Sequence, residues 1–361
     1  MGLSLYGGSI GIAALIHQLN QLKASLSEAE GVTSAILQPL QILLDHNQGD
    51  GRLRWWRDQA LGLSGCGGVL LGLLACGQQA MANQLVDAAL PRFIEADQQL
   101  DLIGGSAGLI GPLLQLNTPA AQKLAVLAGE RLLSCQKDDG TWSSTPQTQG
   151  LLGFSHGCAG SIAALAKLHQ SCTEERFREA AAKGLAHERS YFNAEQGNWP
   201  DFRQGESAFM TSWCHGAPGI GLGRAALWGT ELWDQQCGEE INIAVQTTAA
   251  MTPPSADHLC CGRAGLMLVL DLLCHGSWPI ADEVRELGLK VAQEHRQNLV
   301  KRCQSDPIGI SCFKTGDGSL LLPGWFTGLS GIAMALLNDD NSRRSNALLF
   351  SAGLLGDSSQ N

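Results

Sequence analysis

The 361-residue sequence contains no apolar run of the roughly 18 residues that a membrane-spanning helix needs. Its first residues, from Met1 to Tyr6, lack the basic segment of a secretory signal. Positive charge is also scarce, since 24 Lys and Arg stand against 34 Asp and Glu, and the net charge is -10. These absences argue against membrane insertion, nucleic acid and anionic membrane surfaces as partners.

Cysteine and glycine, in contrast, are abundant. The twelve cysteines are scattered, and several fall inside apolar helical runs, which is typical of a protein in a reducing cytosol. We therefore predict a cytoplasmic location. The 44 glycines follow no collagen period and form no low-complexity tract, so they must serve a structural purpose.

A G-x-x-G step followed by an apolar run occurs seven times. The first glycines of the steps are Gly8, Gly65, Gly105, Gly157, Gly216, Gly262 and Gly328. The runs are apolar on nearly every side, which indicates buried inner helices. Segments between them, such as 120–136, 174–191 and 282–300, are amphipathic and suit outer helices.

This repeat predicts an all-α protein, an α/α toroid of seven helical hairpins. Closing the array into a ring buries the apolar faces, whereas an open solenoid needs capping repeats that are not evident. Longer loops at 45–56, 137–149, 193–211 and 305–323 should lie on one rim, where they would touch a peptide. No linker divides the chain, so residues 1–361 are predicted to form a single domain.

Three cysteines stand directly before two of these steps. Cys214 lies before Gly216, and the adjacent Cys260 and Cys261 lie before Gly262. Two neighbouring cysteines make a poor disulfide but a good pair of metal ligands. Three thiolates with an open fourth position are typical of an open zinc site, and helix N-termini favour the thiolate form.

Two alternatives to an open zinc site remain. The cysteines would be ordinary core residues, or the site would be closed by a fourth ligand, His215 or His258. The similar pair Cys274-His275 is dismissed because a helix of this length would carry it roughly 18 Å from the G-x-x-G turn.

His156 and Asp101 occupy corresponding junctions of the fourth and third repeats. If every inner helix begins on the same side of the ring, His156 points into the same mouth as the cysteines, where it can exchange protons near neutral pH. Asp101 would either cap a helix or orient His156.

The seven turns, Trp213-Cys214-His215-Gly216, Cys260-Cys261-Gly262 and Ser155-His156-Gly157 together resemble the lanthionine synthetase C-like cyclases over essentially the whole chain. The resemblance implies one zinc ion held by Cys214, Cys260 and Cys261. It also implies His156 as the acid/base residue and Asp101 as its partner. Such enzymes add a peptide cysteine to dehydroalanine or dehydrobutyrine, which forms a thioether ring.

One ligand departs from the usual family set of Cys, Cys and His, because Cys261 takes the place of the histidine. That departure is similar to class II synthetases of the prochlorosin type, in which the cyclase is the C-terminal part of a larger protein, behind a dehydratase domain. We expect the same organisation here. Some relatives carry an arginine shortly before the Trp-Cys pair, and residues 209–212 offer none.

Other functions are possible for an α/α barrel. A glycosidase needs paired carboxylates at the mouth, which are not evident at the seven junctions, and a prenyltransferase has a different ligand pattern. The remaining alternative is a non-catalytic module that binds zinc and thiol peptides, such as glutathione.

Overall fold

The computed structural model describes residues 2–22, 29–45, 51–89, 91–143, 149–205, 207–305, 310–315, 318–337 and 340–355. These residues contain sixteen α-helices: α1 (Ile10–Gln21), α2 (Ala29–Asp45), α3 (Gly51–Asp58), α4 (Cys66–Ala75), α5 (Gln79–Asp87), α6 (Pro91–Glu95), α7 (Ala107–Leu116), α8 (Pro119–Cys135), α9 (Cys158–Cys172), α10 (Glu175–Ser190), α11 (Ala217–Leu227), α12 (Gln235–Ala250), α13 (Arg263–His275), α14 (Asp282–Ser305), α15 (Leu329–Leu336) and α16 (Asp340–Phe350).

Seven inner helices form a closed ring, as the repeat predicts. Helices α1, α4, α7, α9, α11, α13 and α15 each begin at a G-x-x-G step, and each contacts the next. Helix α15 contacts α1, so the ring closes between the last repeat and the first. Helices α4, α7, α9, α11 and α13 are buried on almost every side, which explains their apolar sequences, whereas α1 and α15 are partly exposed.

Each inner helix pairs with the helix that follows it in its repeat. The partners are α2, α5, α8, α10, α12, α14 and α16. The three amphipathic segments predicted as outer helices correspond to α8, α10 and α14. The toroid of seven helical hairpins predicted from the sequence is therefore confirmed.

Hydrogen bonds between the turns tie the ring together at the end where the inner helices begin. The amide of Leu102 donates to Ser155 O at 3.1 Å, and the amide of Ser155 donates to Cys214 O at 3.2 Å. On the other side, Cys260 donates to Phe326 O at 3.0 Å, and Phe326 donates to Tyr6 O at 3.1 Å. We call this end of the ring the mouth.

Close backbone approach explains the glycine in the last turn. A Cβ atom on Gly331 would lie 1.8 Å from the carbonyl oxygen of Trp325. Gly216 meets two restrictions, since its φ is +77° and a Cβ would lie 1.7 Å from Met210 O. A larger residue at either position would therefore push the turn away from its inner helix.

Helix α16 differs from the other second helices because, besides α15, it contacts inner helices of two other repeats, α4 and α13. Gln115 of α7 donates to Gly353 O just after α16, and Trp213 Nε1 donates to Phe350 O at 2.9 Å. The last helix therefore lies inside the ring, where its aromatic end packs beneath the mouth.

The predicted loops are only partly loops. Part of 45–56 belongs to α3, and the segment 305–323 contains a short antiparallel hairpin of β1 (Phe313–Thr315) and β2 (Gly318–Leu320). Residues 46–50, 144–148, 206, 306–309 and 316–317 of these segments lie outside the described residues.

Among the residues described, none of the helices is both long enough and apolar enough to cross a membrane.

Candidate metal and acid/base site

The three cysteines meet at the mouth. Cys214 lies in the turn before α11, and Cys260 and Cys261 lie in the turn before α13. Because α11 and α13 are neighbours in the ring, the two turns bring the Cys214 thiol into interaction with both other thiols. Cys214 and Cys260 are buried, while Cys261 is partly exposed toward the mouth.

These interactions leave the three thiols unequal. Hydrogen bonding from Cys260 and Cys261 lowers the pKa of Cys214, whereas hydrogen bonding to Cys214 raises the pKa of Cys260 and of Cys261. The protein by itself thus stabilises one thiolate and opposes the second and third. A soft divalent cation would remove that opposition, so the donor set fits zinc.

His156 and Asp101 form a direct pair at the same end of the ring. His156 Nδ1 lies 2.8 Å from Asp101 Oδ2, and their side chains are 38% and 16% exposed. Asp101 Oδ1 also accepts the Gly104 amide at 2.7 Å. The aspartate therefore accepts a turn amide and lies against the histidine, but it caps no helix, because α7 begins only at Ala107 and has Ser106 at its N-cap.

A second histidine links this pair to the cysteines. The rings of His156 and His215 stack with centroids 6.1 Å apart, and His215 directly follows Cys214. Burial lowers the pKa of His215, so its imidazole is neutral at physiological pH. Its Nδ1 lies 3.2 Å from Leu152 O. His156 is thus positioned against the turn that carries Cys214.

Each cysteine sulfur also has a polar neighbour. Ser212 Oγ lies 3.1 Å from Cys214 Sγ, and Tyr6 donates its hydroxyl to Cys260 Sγ at 3.0 Å. His258 Nε2 lies 3.7 Å from Cys261 Sγ. Burial raises the pKa of Tyr6, and the nearby thiols raise it further to a smaller extent. Tyr6 and Ser212 are not among the site residues predicted from the sequence, and His258 is predicted there only as an alternative fourth ligand.

The position within the repeat provides a signal for Tyr6. It lies two residues before the first glycine of its G-x-x-G step, and Cys214 and Cys260 lie two residues before theirs. His156 and Cys261 share the next position, one residue before the glycine. Aligning the seven turns on their glycines would therefore have pointed to Tyr6.

Arg203 brings a positive charge to the site. Its guanidinium donates to both carboxylate oxygens of Asp201, at 2.9 and 2.7 Å. That hydrogen bond raises the pKa of Arg203, and the charges of Cys214 and Cys260 act in the same direction. Although residues 209–212 contain no arginine, a residue from the preceding loop supplies a cation to the mouth.

A cavity of about 590 Å³ opens beside these residues. Its lining includes Asp101, His156, Arg203, Trp142 and Phe202. Trp142 and Phe202 come from the segments 137–149 and 193–211, which the sequence analysis placed on a rim that touches a peptide. The cavity is large enough for a few residues of an extended chain.

Two other groups with possible metal ligands lie away from the mouth. Cys274 and His275 are at the far end of α13, as predicted. His169, Glu175 and Glu231 have ligand atoms within 4.8 Å of one another, but His169 is near the C-terminal end of α9, whereas His156 precedes its start. Arg178 forms ion pairs with both glutamates. Neither group contributes to the site at the mouth.

Comparison with known proteins agrees with this architecture. A family model described as lanthionine synthetase C-like protein matches residues 1–352. The chain is similar to the solved structure of nisin cyclase, with a TM-score of 0.70 and 17% identity over 98% of this chain and 93% of that chain. At this identity the likeness establishes the fold.

A polysaccharide lyase also aligns, with 14% identity over 97% of this chain and 90% of its own, but its TM-score of 0.44 supports no conclusion. Comparison with curated protein sequences gives no match.

Proposed function

Because the chain belongs to the lanthionine synthetase C-like family, we propose that it is a zinc-dependent lanthipeptide cyclase, a lanthionine synthetase. Its substrate would be a peptide in which serine and threonine have been converted to dehydroalanine and dehydrobutyrine. The cyclase would add cysteine sulfurs of the same peptide to these residues, which forms lanthionine and methyllanthionine rings.

One observation carries the proposal beyond family membership. A histidine held by a carboxylate lines a peptide-sized cavity, and its ring stacks beside the residue that follows one of three clustered thiols. Thioether formation needs these two functions together, a group that activates sulfur and a group that moves a proton. Pure thiol binding needs only the first.

Cys214, Cys260 and Cys261 would hold the zinc ion. When bound, zinc would supply a Lewis acid that lowers the pKa of a peptide thiol entering its open position. Because the Cys214 thiolate opposes ionisation of Cys260 and Cys261, the ion would also neutralise charge that the protein alone does not accommodate.

His156 would give the proton that completes the addition. As sulfur bonds to the β-carbon, the electron pair of the carbon-carbon double bond moves to the α-carbon and its carbonyl, and the α-carbon then takes a proton. Asp101 accepts a hydrogen bond from Nδ1 of His156, so the doubly protonated ring would give its Nε2 proton and would regain one from the proton that the peptide thiol loses. The thiol proton is released, so the reaction leaves the mass of the peptide unchanged.

Arg203 would stabilise the charge that develops on that carbonyl. Its guanidinium lines the same cavity as His156, and Asp201 fixes its position. A positioned cation is effective there because the negative charge is larger in the transition state than in the substrate. Arg203 would therefore lie beside the part of the peptide that carries the dehydro residue.

The decisive experiment counts free thiols in the peptide. The full chain is incubated with zinc and a dehydrated, cysteine-containing peptide, and the product is alkylated and weighed. We expect thiols to disappear with the native chain, to remain with Cys261→Ala, and to disappear about 10²- to 10⁴-fold more slowly with His156→Gln.

Cys274→Ala is the matched control, because this cysteine lies at the far end of α13 and its loss should leave cyclisation intact. Full alkylation with the native chain on several peptides would contradict the proposed cyclase. Zinc-dependent retention of the same peptides would then indicate the alternative function, a thiol-peptide binding module.

We further propose that residues 1–361 act as one cyclase domain in the cytoplasm, joined to an upstream dehydratase domain that prepares the peptide. The acidic chain with unpaired cysteines supports a reducing compartment. Supplying a dehydratase as a separate protein tests the linkage. Equal ring formation from linked and separate proteins would show that covalent linkage is dispensable.

A further inference from the structure

We propose that Tyr6, Ser212 and His258 are positioning residues that each give a hydrogen bond to one sulfur of the three-cysteine site. Together they would disperse the charge of three thiolates and so allow cysteine to stand where related sites use histidine. The inference rests on the proposed zinc site, and it assigns the tuning of that site to residues that do not ligate the metal.

Tyr6 is the best placed of the three. Its hydroxyl lies 3.0 Å from Cys260 Sγ, although the two residues are 254 positions apart in the sequence. The ring stacks on Phe326 with centroids 5.3 Å apart, and the Tyr6 carbonyl accepts the Phe326 amide. A phenol keeps its proton at neutral pH, so Tyr6 is the donor and sulfur the acceptor.

Ser212 serves the second sulfur. Its buried hydroxyl lies 3.1 Å from Cys214 Sγ and also accepts the His215 amide at 3.2 Å. The same hydroxyl lies 3.4 Å from His215 O, a second acceptor for its proton. A thiolate has no proton to give, so the serine hydroxyl must be the donor once Cys214 is ionised.

His258 serves the third sulfur through its Nε2, 3.7 Å from Cys261 Sγ. The Cys261 amide approaches Nδ1 at 3.5 Å, and the tautomer that donates to sulfur carries its proton on Nε2. The ring also interacts with the backbone carbonyl of Phe326. The sulfur of Cys261 therefore receives the weakest of the three contacts.

The arrangement matters because three thiolates carry one more negative charge than two thiolates and a neutral imidazole. A hydrogen bond to an ionised acceptor withdraws part of that charge and favours loss of the thiol proton, which metal binding requires. Residues outside the ligand set commonly change metal affinity by about 10- to 100-fold. We expect an effect in that range for Tyr6.

The test replaces zinc with Co²⁺, whose thiolate charge-transfer absorption reports the electron density on sulfur. Tyr6→Phe in the full chain keeps the ring and removes only the donor. We expect its band to shift to longer wavelength and its Co²⁺ affinity to fall about tenfold at pH 7. Ser212→Ala should change the band in the same direction.

Tyr191→Phe is the matched control, because Tyr191 follows the outer helix α10 and packs against His187 and Phe202. Its spectrum and affinity should equal those of the parent. An unchanged band and affinity in both Tyr6→Phe and Ser212→Ala would overturn the inference.

The outcome also separates this inference from the proposed function. A parent that binds Co²⁺ without a thiolate band would overturn the three-cysteine site, and this inference with it. A parent that has the band and responds to Tyr6→Phe but closes no rings would support the inference while contradicting the cyclase.

Discussion

Asp101 and Asp97 lie in the same turn and contact different partners. Asp101 contacts His156 and one amide, whereas Asp97 accepts the amides of Gln99, Leu100 and Ser106 and the Ser106 hydroxyl. The carboxylate that organises the start of α7 is thus Asp97. Asp101 is left available to orient the proton donor.

Substituting these two aspartates should therefore separate activity from stability. We expect Asp101→Asn to slow ring closure at least tenfold with little change in melting temperature, because only the orientation of His156 is lost. Asp97→Asn should lower the free energy of unfolding by about 1.5–3 kcal/mol and retain most activity. Rates on a dehydrated peptide and thermal unfolding curves measure both. Equal rates for Asp101→Asn and the parent would contradict the role assigned to Asp101.

Arg203 provides a second prediction. Arg203→Gln should reduce the cyclisation rate roughly tenfold, because the cavity loses the cation proposed to stabilise the developing enolate. Arg203→Lys should recover part of the rate, since charge is restored without the two-pronged contact to Asp201. Arg178→Gln, which changes an arginine on an outer helix, is the control. A rate for Arg203→Gln equal to that of the control would refute this role.

The sequence predicts which residues of the repeat lie at the mouth, and their role there stays a prediction. Cys214, Cys260, Cys261 and His156 were identified because each precedes a G-x-x-G step, and equivalent positions meet where a ring of parallel helices begins. Arg203 follows no such rule. It reaches the mouth through an irregular loop whose path depends on the Asp201 contact, so its place could not be derived from spacing.

The packing of the inner helices depends on the glycines of the G-x-x-G steps. The second glycine of the last step, Gly331, lets α15 approach the carbonyl of Trp325. The second glycine of the first step, Gly11, acts where the ring closes, because a Cβ there would lie 2.5 Å from Trp325 Cβ in the turn before α15. The glycine pattern is therefore a packing requirement as well as a sequence signature.

Replacing glycine by alanine should have opposite effects at two positions. Gly331→Ala places a Cβ 1.8 Å from a backbone oxygen, so we expect it to lower the free energy of unfolding by roughly 3 kcal/mol. Gly31→Ala, in α2, meets nothing within 4 Å and should raise that free energy by about 0.5–1 kcal/mol. Denaturant titrations compare the two. Similar shifts for both variants would contradict the packing argument.

Helix α16 marks the limit of what periodicity predicts. The repeat predicts the number of hairpins. It does not show that α16, the second helix of the seventh hairpin, lies inside the ring. That position depends on contacts with α4, α7 and α13, which come from distant parts of the chain. The hydrophobic periodicity of a helix shows which of its faces is apolar. It does not show which other helix packs against that face.

Across the whole molecule, α16 links the core of the ring to the candidate site. Phe350 is fully buried and packs against Trp213 and Phe326, two residues of the turns that surround the cysteines. The backbone oxygen of Phe350 also accepts a hydrogen bond from Trp213. A substitution that disrupts the packing of Phe350 should therefore also change the position of the cysteine turns at the mouth.

A pair of phenylalanine variants tests this link. Phe350→Ala and Phe177→Ala each remove a fully buried ring and should each lower the free energy of unfolding by about 3–5 kcal/mol. Only Phe350→Ala should also weaken metal binding, because Phe177 packs between α8 and α9 on the outer side. Unfolding and Co²⁺ titrations, both made well below the melting temperature, measure the two effects. Equal metal affinities for the two variants would contradict the link.

Ring closure also has a consequence for the order of events during protein synthesis. Tyr6 leaves the ribosome before its partner Cys260, which follows 254 residues later, and the Phe326 amide that donates to the Tyr6 carbonyl follows later still. At about 5–20 residues per second, the interval between Tyr6 and Cys260 alone is roughly 13–50 s. All three cysteines are therefore translated before Phe326, the residue that binds the Tyr6 carbonyl. The mouth takes its final form only after the last repeat has been translated.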